Sequence, residues 1–116
     1  MTSTKTIKVC GQTFTLTFPT VGQFIDIKVL EVRLSQGFSA QMVTGTADQL
    51  DAFLFITTYA HFSVLCPELM RQLKVSDLRE LSISDFEELS KVYLSEIQPW
   101  IVSVKSEMKQ GMNNAQ

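Results

Sequence analysis

Charge is scarce in this sequence. Lys and Arg number 10 and Asp and Glu 12, or 19% of 116 residues, where a globular chain carries about 25%. The balance of −2 and a pI near 5.3 give no long-range pull on phosphate, so nucleic acid is not an expected partner. No basic run exists: Lys5 with Lys8, and Arg71 with Lys74, stand as isolated pairs. That argues against a helix lying on a membrane surface. The apolar stretches 53–56 and 62–66 are broken by Thr57, Thr58 and His61, far short of the ~20 residues a membrane span needs. A single histidine, His61, excludes a multi-histidine metal site within one chain and reads as a structural residue. The two cysteines, Cys10 and Cys66, form no metal motif and read as small, reduced core residues. With no apolar leader in MTSTKTIKVCG, a cytoplasmic setting is expected. Nucleophile-elbow, phosphate-loop, dinucleotide and zinc-protease patterns are missing. Glu87 and Glu88 are adjacent and diverge by about 100° on a helix, so they make no catalytic pair. Catalytic, cofactor and metal residues are therefore expected to be none.

Apolar residues, by contrast, reach 45%, with eight Phe. That suffices for one packed domain over 1–116 and excludes a disordered chain. Residues 5–18 alternate with period two on both sides of Gly11-Gln12, which predicts a β-hairpin. One face carries Ile7, Val9, Phe14, Leu16 and Phe18; the other is nearly all Thr. Pro19 ends the strand. Thr20 with Gln23 forms a capping box that opens a helix over about 21–35, with Gly37 as its stop. Phe24, Ile25, Ile27, Val29, Leu30, Val32 and Leu34 cover more than one stripe of that helix. It is either central or shared with a partner.

Residues 36–46 read as a loop, with Phe38, Met42 and Val43 docking either on the chain's own core or on a partner. A core helix over 47–66 follows, capped by Thr46 or Asp48 and closed by Pro67, which opens a short turn. Ser76 starts another short segment. Ser84 with Glu87 reads as a second capping box for the last long helix. There Phe86, Leu89, Tyr93, Ile97, Trp100, Val104 and Met108 recur at three- and four-residue steps, with a break expected before Pro99. The tail 111–116 is expected to fray. The fold class is α+β, mainly helical: an N-terminal hairpin on a bundle of about four helices, with the helical part over 20–110.

Two surfaces are expected to bind. The uncharged face of Thr13, Thr15 and Thr17 lacks the lysines that protect an edge, so self-association is expected. The apolar surface exceeds what one small core needs, so part of Phe24, Ile27, Phe86, Leu89, Tyr93, Ile97 and Trp100 is expected to meet a partner.

The stretch V-C-G-Q-T-F-T-L-T-F-P-T-V-G-Q, a hairpin running straight into a helix, precedes an all-helical remainder containing D-F-E-E-L-S-K-V-Y. This layout, over about residues 5–108, resembles the small tail assembly chaperones of long-tailed bacteriophages. The resemblance implies a non-enzymatic factor that coats the helical tape-measure protein while the tail tube protein polymerises, acts in the host cytoplasm, and is absent from the finished virion. The alternative is a structural virion component such as a head–tail adaptor or minor tail protein.

Overall fold

A computed structural model describes residues 3–36 and 47–114. The chain opens with two antiparallel strands, β1 (Thr4–Val9) and β2 (Gln12–Thr17), paired from Thr4 opposite Thr17 to Val9 opposite Gln12. Alternation sends Ile7, Val9 and Leu16 into the core and leaves Thr6, Thr13, Thr15 and Thr17 in solvent. The two turn residues are Cys10 (φ 52°) and Gly11 (φ 76°), one position earlier than the Gly11-Gln12 expected. Two consecutive positive φ values fit a primed hairpin turn, whose twist matches the strands. Gly11 takes this conformation without a Cβ penalty; Cys10 does not. Its amide donates to Glu88 Oε1 at 2.6 Å, which ties the turn down.

Helix α1 (Val21–Ser35) starts at the expected capping box. Gln23 N–H donates to Thr20 Oγ1 at 3.1 Å, and Thr20 N–H donates to Gln23 Oε1 at 2.9 Å. Residues 37–46 of the expected loop, with Gly37 and Thr46, lie outside the described residues; Asp48 falls inside the next helix. That helix, α2 (Ala47–Leu65), packs on α1 and contributes Ile56, Tyr59, Ala60 and Phe62 to the interior. Pro67 then occupies the first position of α3 (Pro67–Gln72), where its missing N–H costs nothing.

A 3₁₀ turn (Leu78–Glu80) follows. Its cap is Asp77, which accepts from Arg79 N–H, rather than Ser76, whose hydroxyl instead donates to Glu80. The expected Ser84–Glu87 capping box does not form. Helix α4 (Ile83–Val92) is capped one half-turn earlier by Ser82, whose Oγ accepts from Asp85 N–H at 3.1 Å. Two Ser in the same local context compete for one cap; with Ser82 at the cap, Ile83 starts the helix and Phe86 and Leu89 face inward.

The break expected near Gln98 is instead a widened π turn (Tyr93–Ile97) that leads without interruption into α5 (Gln98–Asn114). Gln98 N–H donates to the Tyr93 carbonyl, five residues back. Pro99 has no N–H, and its ring crowds the carbonyl four residues earlier; a wider turn relieves that crowding. Residues 111–114 continue α5, where the expectation had been a frayed tail. The core lies where the inner face of the hairpin meets α2, α3 and the α4–α5 rod, around Ile7, Val9, Phe62, Leu69, Leu89 and Ile97.

Candidate functional site

Helix α1 gives that core one fully buried residue, Ile27. Val21, Ile25, Val29 and Val32 are exposed by 76%, 55%, 52% and 57%. At 100° per residue these four fall within an arc of roughly 80°, and Ile27 lies nearly opposite. The inner side of α1 is thus satisfied, while a four-residue aliphatic stripe spans three turns of the outer side. Fully burying a Val or Ile side chain contributes about 1.5–3 kcal/mol, so covering the stripe offers on the order of 5 kcal/mol before association costs. Lys28 and Arg33 are exposed along α1, and Lys28 lies 3.8 Å from Glu31.

Most of the residues expected to meet a partner are core. Ile27, Leu89 and Ile97 are 1% exposed or less, and Phe86 and Tyr93 are buried as well. They offer no surface to a partner in this structure: the hairpin and α2 cover those on the rod, and α2 packs on α1. Phe86, for instance, packs against Phe55 of α2 with the rings tilted and their centroids 4.3 Å apart. Phe24 and Trp100 are half-buried in an aromatic chain. Phe18 meets Phe24 edge-on at 5.8 Å and Trp100 edge-on at 5.5 Å. Lys105 sits 4.5 Å above the Phe24 ring, and Trp100 Nε1–H donates to Ser3 Oγ at 2.7 Å. These two rings fasten α1, the end of the hairpin and α5 together.

Reading the sequence missed the outward stripe. The usable signal is the doubled apolar set on α1: the two residues it offered for partner contact, Phe24 and Ile27, lie on the inner side, and Val21, Ile25, Val29 and Val32 remain exposed.

A polar cluster lies between α2 and the π turn. His61 Nδ1–H donates to the Thr57 carbonyl at 2.7 Å, and its ring packs 4.8 Å from that of Tyr93. The Tyr93 and Thr57 hydroxyls share a long bond of 3.5 Å. Burial lowers the His61 pKa; the Thr57 bond and the Glu31 charge oppose that shift. Burial also raises the Tyr93 hydroxyl. Both groups are neutral at pH 7. Cys10 is half-buried and Cys66 buried. Burial, with Glu88 and Asp85 nearby, pushes the Cys10 thiol up to about 11, far from the thiolate that reactivity requires. Among the described residues no group of three or more His, Cys, Asp or Glu converges as a metal site, and no helix is long and apolar enough to cross a membrane.

No protein-family model, curated protein or solved structure matches the chain.

Proposed function

We propose that this chain is a non-enzymatic assembly factor that shields an apolar helix of a larger protein. On the resemblance of its hairpin-to-helix layout, we read it as a tail assembly chaperone for the tape-measure protein of a long-tailed phage, acting before the tail tube protein polymerises. The observation that carries this reading is the aliphatic stripe Val21–Ile25–Val29–Val32. A partner that is itself an amphipathic helix is recognised through anchors at three- and four-residue spacing, with hydrophobic surface as the main requirement. Val and Ile, stiff at χ1, lose little side-chain freedom on being covered.

The test is co-expression with a tape-measure fragment that precipitates alone. The native chain is expected to hold the fragment in solution. The double variant Ile25→Asp, Val29→Asp is expected to remain folded, because both side chains are already more than half exposed, and to lose at least about tenfold in fragment recovered. A folded double variant with full solubilising activity removes α1 as the site. Finding the chain at stoichiometric level in purified particles would favour the structural-component reading over the chaperone.

A further inference from the structure

The outer edge of β2 is unpaired among the described strands, and its phase can be fixed. Phe18 N–H donates to the Ser3 carbonyl at 3.0 Å, so Ser3–Phe18 is a hydrogen-bonded pair. Alternation along the ladder then makes Lys5–Leu16, Ile7–Phe14 and Val9–Gln12 the bonded pairs. Thr4–Thr17, Thr6–Thr15 and Lys8–Thr13 are the non-bonded ones. The Thr6 and Thr15 hydroxyls, 3.3 Å apart, fit the closer side-chain approach of a non-bonded pair. It follows that the backbone N–H and C=O groups of Thr13, Thr15 and Thr17 point away from β1. Strand order is β1–β2, and among the described residues no strand pairs with the outer edge of β2. Beside that edge lies a cleft of about 350 Å³, with residues 13–16 on one side and residues 65–68 and Arg71 on the other.

We propose that two copies of this chain join along this edge, antiparallel, with Thr15 on the two-fold axis. Its occupant is a second copy because β2 is complementary to itself. The strand reads QTFTLT and carries no charge, so self-pairing sets no like charges opposite one another. β1, by contrast, holds Lys5 and Lys8, the residues that protect an edge. With Thr15 opposite the second copy's Thr15, Thr13 falls opposite Thr17. Each such pair exchanges two bonds, about six in all, and none of the three outward-facing residues keeps a free N–H or C=O. Phe14 then lies across from Leu16 on the apolar face, and Thr pairs with Thr on the other. The product is a four-stranded sheet in place of a two-stranded one, which alone is marginal. This inference is independent of the tail-assembly reading.

Sedimentation equilibrium on the full chain tests it. A concentration-dependent monomer–dimer equilibrium is expected. Thr15→Pro, which removes the outward donor, and Thr15→Lys, which sets two charges face to face on the axis, are each expected to raise the dimer Kd at least tenfold. Thr6→Lys, on the same face but on β1, is expected to leave it unchanged. Mild oxidation is expected to cross-link Thr15→Cys, whose two Cα atoms would lie about 5.5 Å apart, and not Thr13→Cys. If Thr15→Pro fails to fold by circular dichroism, Thr15→Lys decides. A strict monomer at every concentration overturns the proposal. So does a folded Thr15→Lys with an unchanged dimer, or a dimer that cross-links through Thr13→Cys and not Thr15→Cys.

Discussion

Thr58 is fully buried on α2, and its hydroxyl finds no hydrogen-bond partner among the described residues. A hydroxyl taken out of water without a replacement bond costs about 1–3 kcal/mol. Valine keeps the shape and drops the oxygen. Thr58→Val is therefore expected to raise stability by about 1 kcal/mol, seen as a higher urea midpoint at unchanged slope. An unchanged or lower midpoint would mean that the hydroxyl is satisfied in solution. Nothing local marks this residue: Thr57 and Thr58 look alike, and only the helix phase decides that one joins the His61 cluster while the other is sealed in. Glu88 makes the same point. It is exposed, yet its carboxylate also accepts from the Cys10 amide, 78 positions away in the sequence.

At the scale of elements, the start of α4 offers a clean discrimination. Ser82 accepts from Asp85 N–H, whereas Ser84 sits inside the helix. Ser82→Ala is expected to cost about 1 kcal/mol, and Ser84→Ala a few tenths at most. Thermal melts of the two variants check this, and a reversed order would restore the Ser84 capping box. What was legible here had local causes. Alternating Thr with Phe and Leu marked both strands, Thr20 with Gln23 marked the start of α1, and the stripe from Phe86 to Val104 marked the long rod. Errors arose where two local signals competed. Ser82 against Ser84 is one case. Pro99 is another, since a ring that ordinarily ends a helix is accommodated here by a wider turn. Which side of α1 stays dry was not legible, because it depends on where α2 and α5 dock.

For the whole molecule, the radius of gyration is 15.4 Å, against about 13 Å for a compact chain of this length. The extents of 45 × 36 × 23 Å describe a flattened body. That shape leaves a helix face and a strand edge uncovered, the two places where binding is proposed. Global stability also carries a pH signature. Folding lowers the His61 pKa below its ordinary 6.5, chiefly through burial. Between the folded and unfolded values the unfolded chain binds more protons, so stability rises with pH across that window. It is lost as pH falls through 6.5 and levels off below the folded value. Urea unfolding at about pH 7.5 and about pH 5.5 is expected to show a larger loss for the native chain than for His61→Gln. Equal losses would assign the effect to other groups.

The contacts that anchor the hairpin also carry a cost in time. Ser3 meets Trp100, Lys5 meets Glu96, and Cys10 meets Glu88. The hairpin thus closes against a segment made much later. At about 5–20 residues per second of synthesis, the 78 positions between Cys10 and Glu88 amount to roughly 4–16 s. Throughout that interval the nascent hairpin has neither its turn clasp nor the helix that floors its apolar face. On a messenger crowded with ribosomes, neighbouring nascent chains would expose the same uncharged strand at the same time. The edge that joins finished copies could then bring them together before either one has finished folding.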